Sequence, residues 1–431
     1  MNHYLIKNVS LVDDSVVDIE ILNGLINKIG IALESTASQI DGRGMVALAG
    51  FVDLHTHLRE PGFEESETVH TGSRAAARGG YTAIHPMANT NPVADSAAVV
   101  EQVHNLGIKA GYVQVQPIGA VTKGLEGTQL AELQKMNICE ARVTVFSDDG
   151  KCVSDALLMR RALEYVKPFG GVIAQHAQDP SLTVNAQMNE GVLAASLGLS
   201  GWPAIAESAI IARDCLLAEA TGSRLHICHL STKSSVDVIR WAKSRGINVT
   251  AEVTPHHLLL TEDMAKDYNP LYKVNPPLRT MDDVVAVREA LADGTIDIVA
   301  TDHAPHPTEN KTCAWGEAAF GMLGLETAAS VVYTVMVKSG LMSLKRFQEV
   351  MSVAPAAISG IAGQGQELVE GANANIVLLN LSAKYDFNMP SESKSANNPF
   401  VGQQLYGTVQ HVFFRGLQTV KSGAVVDLES K

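Results

Sequence analysis

Short apolar runs rich in β-branched residues alternate with longer Ala-rich stretches through most of this 431-residue sequence. Strands that alternate with helical patterns in this way are typical of β/α units around a parallel sheet. Eight such units predict an α/β fold, a (β/α)8 TIM-type barrel. A doubly wound open sheet is the alternative, but no GxGxxG opens a helix near the start of the chain. The candidate strands are MVALAGFVDLH, YTAIHPM, YVQVQPIGA, ARVTVFS, GGVIAQH, LHICHLS, NVTAEVTP and IDIVATD.

The two ends of the chain have a different pattern, with short strands, turns rich in Gly, Asn and Asp, and almost no helical periodicity. They comprise residues 1–49 and about 363–431. Neither end is long enough to form a domain alone, so we expect both to combine into one small β-sandwich. The barrel would then occupy residues 50–362.

The charge balance and the cysteine pattern exclude several classes of partner. A net charge of -13 argues against nucleic acid or an anionic membrane surface as the main partner, because both bind clustered Lys and Arg. No apolar run approaches the length of a membrane span, and the N-terminus lacks the pattern of a signal peptide. Five scattered cysteines without a CxxC are typical of reduced thiols and predict a cytoplasmic protein.

Imidazole and carboxylate side chains follow several of the candidate strands. Active sites of this barrel type lie at the carboxyl ends of the strands, so these side chains would meet at one mouth. A single His at a strand end is more often solvated or capped, but His55 and His57 are two residues apart and therefore point to one face of their strand. The other candidates at strand ends are His85 with Asn89, Asp148 and Asp149, His176, His229, and Asp302 with His303 and His306.

Five or six nitrogen and oxygen ligands are more than one tetrahedral zinc uses while keeping an open position. They suit two divalent ions joined by a bridging carboxylate and a bridging hydroxide. Histidines and carboxylates without thiolate fit Zn, Mn, Co or Fe, and zinc is the first choice. Cys228 precedes His229, so strand alternation predicts that it faces away and serves as apolar filler. His226 has the wrong parity to share that face, while His256 and His257 end a strand close to the ligands.

Five segments together resemble the dihydroorotases of the amidohydrolase superfamily, in particular the longer microbial type: DLHTHLREPG, ANTNP, VNPPLR, TDHAPH and FGMLGLET. The first segment alone would also suit hydantoinases and allantoinases. In those enzymes and in several dihydroorotases a carbamylated lysine ends strand four, whereas this sequence has only Asp148 and Asp149 there, as in the dihydroorotase branch that uses aspartate. The resemblance favours Asp149 as the bridging ligand, with Asp148 as the alternative. It assigns the other ligands to one ion (His55, His57 and Asp302) and to a second ion (His176 and His229).

The resemblance further implies a clamp for a substrate carboxylate that lies outside the reacting ring. Arg59 offers a planar guanidinium that matches a carboxylate. The alternative for Arg59 is a solvated loop cation paired with Glu60. The family usually reads MPNT where this chain has HPMANTNP, so Ala88 stands directly before Asn89. The remaining substrate contacts that the resemblance implies are Asn89, Asn275, His306, Ala319 and Gly321.

The resemblance implies a metal-dependent cyclic amide hydrolase that opens L-dihydroorotate to N-carbamoyl-L-aspartate and closes it in the biosynthetic direction, the third step of pyrimidine synthesis. Asp302 would take the proton from the bridging hydroxide and give it to the leaving nitrogen. Two alternatives are a hydantoinase-like or allantoinase-like cyclic amidase and a non-catalytic scaffold of the same fold. The missing lysine counts against the first, and the complete ligand set counts against the second. A homodimer is the default assembly, and association with aspartate carbamoyltransferase is a further option in this family.

Overall fold

The computed structural model describes residues 2–385 and 390–428, so residue 1, residues 386–389 and residues 429–431 of the predicted sandwich lie outside the described part. The strands within it are β1 (His3–Ser10), β2 (Val16–Leu22), β3 (Leu25–Gly30), β4 (Ser38–Asp41), β5 (Val46–Ala49), β6 (Phe51–Thr56), β7 (Tyr81–Pro86), β8 (Gln114–Val115), β9 (Val145–Phe146), β10 (Val172–Gln175), β11 (Met188–Asn189), β12 (Gly201–Trp202), β13 (Arg224–Ile227), β14 (Val249–Val253), β15 (Ile298–Val299), β16 (Ile376–Tyr385), β17 (Leu405–Phe414), β18 (Leu417–Lys421) and β19 (Ala424–Val425). The α-helices are α1 (Val69–Arg78), α2 (Ala97–Ala110), α3 (Leu133–Ile138), α4 (Ala156–Val166), α5 (Val192–Leu197), α6 (Ile205–Thr221), α7 (Lys233–Ser244), α8 (Pro255–Leu259), α9 (Met281–Asp293), α10 (Ala328–Val332), α11 (Leu344–Gln348) and α12 (Ala354–Ser359).

Eight parallel strands form the barrel, in two hydrogen-bonded groups. One group is β6, β7 and β8, and the other is β9, β10, β13, β14 and β15. The groups meet through backbone hydrogen bonds at both seams, from Ser147 N to Gly119 O (2.9 Å) and from His57 N to His303 O (2.8 Å). These bonds close the sheet on itself, so the predicted barrel is confirmed. Each of the eight predicted runs supplies one of its strands.

The first predicted run, MVALAGFVDLH, forms two strands and not one. Strand β5 belongs to the sheet of the chain ends, β6 begins the barrel, and Gly50 lies between them. A Cβ atom at Gly50 would lie 2.3 Å from Cγ2 of Thr82 in β7, so the backbone packs against β7 with no room for a side chain. The prediction of one strand was wrong because every residue of both strands is buried, which leaves no polar position to mark the break.

Strands from both ends of the chain form one nine-stranded sheet, in the order β19, β18, β17, β16, β5, β1, β2, β3, with β4 beside β1. The two ends join where β16 pairs with β5, with Ile376 opposite Ala49. Tyr4 of β1 and Phe413 of β17 lie three strands apart in this order, which would be about 14 Å in a flat sheet. Their ring centroids are 5.2 Å apart, so the sheet folds over itself around an apolar core. We propose that residues 1–49 and 363–431 act as one unit beside the barrel.

The helices pack around the outside of the barrel, with α4 beside α6 and α6 beside α7. Four of them begin at a threonine whose hydroxyl accepts a hydrogen bond from the backbone N–H three residues later, namely Thr68, Thr232, Thr254 and Thr280. Such an N-cap stabilises a helix by about 1 kcal/mol. Among the described residues, no helix is both long enough and apolar enough to cross a bilayer.

Candidate metal centre

The six predicted metal ligands lie together at the carboxyl ends of the barrel strands. Five different strands supply them, because β6 alone supplies two. None of the six exposes more than 5% of its surface. The ligands are His55 in β6, His57 directly after β6, Asp149 after β9, His176 after β10, His229 after β13 and Asp302 after β15.

Three of these side chains form one compact group. The Oδ1 atom of Asp302 lies 3.1 Å from Nε2 of His57 and 3.5 Å from Nε2 of His55. All three ligand atoms lie within 4.8 Å of one another, which is close enough for one cation to reach them together. Asp302 has a φ of 46°, an unusual value for a residue with a side chain, so the backbone is strained where this carboxylate turns into the mouth.

Asp149 joins a second group to the first. Its Oδ1 atom lies 3.2 Å from Nδ1 of His176 and 3.2 Å from Nε2 of His229. Its Oδ2 atom faces the other way, 3.3 Å from Nε2 of His55 and 3.4 Å from Nε2 of His57. One carboxylate therefore presents one oxygen to each group, which is the arrangement that a bridging ligand needs.

Asp148, the alternative to Asp149, is turned away from the centre. Its Oδ1 atom accepts hydrogen bonds from the backbone N–H groups of Val121 (2.8 Å) and Thr122 (2.9 Å), and its Oδ2 atom accepts one from the Thr122 hydroxyl. These three side-chain hydrogen bonds hold the loop after β8. The structure places Asp149, and not Asp148, between the two groups of histidines.

The charges in the centre are those of a site that attracts cations. Burial acts to raise the pKa of Asp149, but the charge on His55 and the hydrogen bonds from His176 and His229 hold it well below its usual range. Burial acts in the same direction on Asp302, and the charge on His55 with the hydrogen bond from His57 lowers its pKa to about 2. Both carboxylates therefore stay ionised at neutral pH.

A divalent cation fits this donor set. Nε2 of His55 is completely buried and makes no hydrogen bond, although the carboxylates of Asp149 and Asp302 lie beside it. Leaving a buried polar atom unpaired costs stability, and a cation would satisfy it. Four imidazoles and two carboxylates are ligands that zinc and related divalent ions bind.

Cys228 does not face away from the centre, so that prediction was wrong. Its sulfur lies within 4.8 Å of ligand atoms of His55 and Asp149. Strand β13 ends at Ile227, and His229 has a φ of 31°, so the alternation of a regular strand no longer applies at these two residues. Cys228 still packs with apolar side chains of the barrel interior, and burial raises its pKa far above the usual thiol range.

Glu252 is a residue of the centre that we did not predict. It lies in β14, is 1% exposed, and its Oε1 atom is 2.6 Å from Nδ1 of His55. Its Oε2 atom is 2.9 Å from Nε2 of His226, the histidine with the wrong parity to be a ligand. Burial acts to raise the pKa of Glu252, but the charge on His55 and the hydrogen bond from His226 hold it well below the usual range. The signal in the sequence was a lone carboxylate inside the buried run NVTAEVTP.

Arg59 lies at the mouth beside the centre. Its Nε donates to the carbonyl of Pro305 at 3.2 Å, and Glu60 instead accepts from the backbone N–H of Val69 at 2.8 Å. Burial lowers the pKa of Arg59 to about 10, while the charges of Asp302 and other carboxylates oppose the shift. Arg59 therefore remains cationic at neutral pH, and no ion pair with Glu60 is formed.

Of the predicted substrate contacts, His306 lies near Arg59 and Asn89 lies beside a metal ligand. Nε2 of His306 lies 2.8 Å from the carbonyl of Phe320, and burial together with the charge on Arg59 lowers the pKa of His306 to about 3. Oδ1 of Asn89 lies 2.9 Å from Nδ1 of His57, so Asn89 also orients a metal ligand. A neutral His306 thus lies close to the cationic guanidinium, and the amide group of Asn89 lies beside the metal ligand His57.

The other three predicted substrate contacts differ in whether they have a hydrogen-bonding group that the protein does not already use. Nδ2 of Asn275 donates to Oε1 of Gln178 at 3.1 Å, while its Oδ1 is buried without a partner. The backbone N–H groups of Ala319 and Gly321 donate to the carbonyls of Asn310 (3.1 Å) and Lys273 (3.0 Å). Asn275 therefore has a free acceptor, whereas the N–H groups of Ala319 and Gly321 are already used within the protein.

The chain is similar to a family model over part of its length and to named relatives over nearly all of it. A family model described as Dihydro-orotase-like matches residues 44–235. A dihydroorotase of Leifsonia xyli is 58% identical, with 98% of this chain and 97% of the relative covered. A dihydroorotase of Streptomyces coelicolor is 57% identical, with 98% and 99% covered.

Solved structures agree on the fold. An L-hydantoinase from Arthrobacter aurescens superposes with a TM-score of 0.88 and 26% identity, with 99% of this chain and 98% of that chain covered. A dihydropyrimidinase from Brevibacillus agri has a TM-score of 0.85 at 22% identity, with 98% and 96% covered, and supports the fold alone.

The barrel, the sheet built from both chain ends and the buried ligand cluster define a metal-dependent cyclic amide hydrolase of the amidohydrolase superfamily. Within this class, the L-hydantoinase structure has 26% sequence identity with this chain. The relatives that are more than half identical over nearly the whole chain are named dihydroorotases. The chain belongs to the dihydroorotase family.

Proposed function

We propose that this chain is a dihydroorotase that interconverts L-dihydroorotate and N-carbamoyl-L-aspartate, the third step of pyrimidine synthesis. The observation that carries the proposal is the position of Asp149, whose two oxygens face two groups of ligands. An aspartate in this place, with no lysine at the end of the fourth strand, also separates the chain from hydantoinases with a carbamylated lysine.

The centre would hold two divalent ions, with zinc as the first choice. When bound, these ions supply Lewis acidity, which makes a water molecule nucleophilic near neutral pH and polarises an amide carbonyl. The protein contributes a fixed set of donors that needs little rearrangement, because every ligand is buried and oriented. The first ion would be held by His55, His57 and Asp302, the second by His176 and His229, and Asp149 would bridge them.

Asp302 is the proposed general acid and base. Only its Oδ1 atom is engaged with the histidines, at 3.1 Å from His57, and the side chain faces the mouth where a substrate would enter. It would accept the proton of the attacking water and deliver it to the amide nitrogen as the ring opens. The reverse transfer accompanies ring closure.

Arg59 is the proposed partner of the substrate carboxylate. Because its Nε is held by Pro305, its terminal nitrogens can form the paired hydrogen bonds that a carboxylate accepts. His306 and Asn89 would complete this subsite, and the unpaired Oδ1 of Asn275 would accept a ring N–H group. We retain Ala319 and Gly321 as the wall beside His306, where a Cβ atom at Gly321 would lie 2.7 Å from Nε2 of His306.

The test combines metal analysis with assays of three reactions on purified protein. Dihydroorotate opening and carbamoyl aspartate closure should both proceed, hydantoin should not be hydrolysed, and two zinc ions per chain should be measured. Removal of metal by a chelator should abolish turnover, and added zinc should restore it. Hydrolysis of hydantoin without turnover of either pyrimidine precursor would instead identify a hydantoinase-like enzyme, and no turnover of any of them would identify a scaffold.

We further propose a cytoplasmic homodimer. All five cysteines are free thiols, which suits a reducing compartment. Light scattering on the purified chain should give twice the monomer mass. Co-purification from cells with aspartate carbamoyltransferase, tested in the same preparation, would reveal the larger assembly as the alternative.

A further inference from the structure

Glu252 contacts one residue in each of the two groups of metal ligands. Its Oε1 atom is 2.6 Å from Nδ1 of His55, in the first group, and accepts a hydrogen bond from the backbone N–H of His229, in the second group, at 3.1 Å. Its Oε2 atom is bound by His226, whose other ring nitrogen lies 2.8 Å from the hydroxyl of Thr250. A single oxygen atom of one carboxylate thus holds a member of each group.

The contact with His55 fixes which ring nitrogen can bind a cation. A carboxylate only accepts hydrogen bonds, so the proton of His55 must lie on Nδ1. Nε2 is then the ring nitrogen left to bind a cation, and it lies beside Asp149 and Asp302 with no hydrogen bond of its own. Without Glu252 the imidazole could take either tautomer and rotate.

The contact with His229 fixes the backbone conformation of this residue. His229 has a φ of 31°, which is costly for a residue with a side chain and persists only where surrounding contacts impose it. The bond from its N–H to Glu252 is one such contact, and it aims Nε2 of His229 at Asp149. The same carboxylate therefore organises a side chain in one group and the main chain in the other.

We propose that Glu252 is a positioning residue that assembles both halves of the metal centre, so that its loss weakens both cation sites together. This inference rests on the proposed two-ion site and deepens it. Groups that orient metal-binding histidines typically change metal affinity by roughly 10- to 100-fold. We expect a loss of that size at each site when Glu252 is replaced by alanine.

Two substitutions at Glu252 distinguish a role in positioning the metal ligands from a role in folding. E252A removes both contacts and leaves Nε2 of His226 without its partner, so its fold must be checked by circular dichroism. E252Q has the same shape, and its amide oxygen can still accept from His55 and His229, while His226 can move its proton toward Thr250. E252Q should therefore retain both sites within a few-fold of wild type.

The matched control is Glu326, another buried glutamate, which pairs with Arg78 at 3.1 Å and accepts from the backbone N–H of Glu392 at 3.2 Å. E326Q changes a buried carboxylate in the same way but touches no metal ligand. It should bind metal as wild type does.

The experiment titrates metal-stripped protein with Zn²⁺ by equilibrium dialysis and with Co²⁺ by visible absorption, and reads histidine tautomers from ¹⁵N NMR of the zinc-saturated protein. The proposal expects weaker binding at both sites in E252A, a loss of the Nδ1-protonated His55 signal, and recovery in E252Q. Wild-type affinity in folded E252A, a loss confined to one site, or equal losses in E252A and E252Q would each overturn it. Because these readouts need no substrate, failure of wild-type protein to turn over dihydroorotate would count against the proposed function alone.

Discussion

A methyl group added at Gly321 would collide with the ring of His306. The Cβ atom of alanine would lie 2.7 Å from Nε2 of His306 and 2.8 Å from Cβ of Ala304, whereas ordinary contacts begin at 3.4 Å. Gly321 also has a φ of 145°, which residues with side chains rarely adopt. The G321A variant must therefore shift His306, strain its own backbone, or do both.

The size of the effect follows from these distances. Moving the His306 ring by the missing distance of about 0.7 Å lengthens its 2.8 Å hydrogen bond to Phe320 O beyond bonding range. Loss of such a bond costs about 0.5–1.5 kcal/mol, and 1.4 kcal/mol corresponds to a factor of ten. We expect a KM for dihydroorotate roughly tenfold higher. The free energy of unfolding should fall by about 1–3 kcal/mol, as in other overpacked sites.

The assay compares steady-state kinetics and urea unfolding of wild type, G321A and G316A. Gly316 lies in the same loop, and a Cβ atom there would meet nothing within 4 Å, so G316A should behave as wild type in both measurements. If G321A is less stable but has an unchanged KM, the clash is relieved elsewhere and His306 does not contact the substrate carboxylate. If both measurements are unchanged, the packing argument itself is refuted.

Three further predictions concern the proton shuttle, the carboxylate clamp and a buried lysine. D302N should lower kcat at least about 100-fold while metal content stays unchanged, because asparagine keeps the coordinating oxygen but cannot carry the proton; near-normal kcat would remove Asp302 from this role. R59M should raise the KM for dihydroorotate roughly 10- to 100-fold with a smaller effect on kcat, as expected for loss of charge-assisted hydrogen bonds, and an unaltered KM would exclude the clamp. Burial and the neighbouring charge of Lys273 lower the pKa of Lys311 to about 7, whereas in the unfolded chain it stays protonated up to about pH 10.4. Between these two values the unfolded state binds more protons, so stability rises with pH; K311M should flatten that rise in urea unfolding measured from pH 7 to 10, and identical slopes would contradict the assignment.

The sequence was sufficient to predict the barrel and the convergence of its ligands. In a parallel barrel all strands end at one mouth, so reading the residue that follows each run was enough to collect His55, His176, His229 and Asp302 in one cluster. The period of two placed His57 beside His55. The individual roles of these residues and of the substrate contacts stay predictions, because geometry alone does not show what a side chain binds.

Other features could not be predicted because they depend on pairing between distant segments. Glu252 resembles any polar residue in a strand until His55 of β6 and the turn at His229 are placed around it. Cys228 was misplaced because strand alternation was extended past the end of β13 into a residue with a positive φ. The break at Gly50 requires Thr82 of the neighbouring strand, which the local run does not contain.

The pairing of β5 with β16 has a consequence for how the protein is made. Ala49 lies opposite Ile376, so more than three hundred residues must leave the ribosome before β5 finds its partner. At about 5–20 residues per second, that delay is on the order of tens of seconds. During this time β5 presents an open, apolar strand edge directly ahead of β6, and such edges promote association between chains. Until β16 arrives, the incomplete chain is therefore more prone to association than the finished protein, in which this edge is paired.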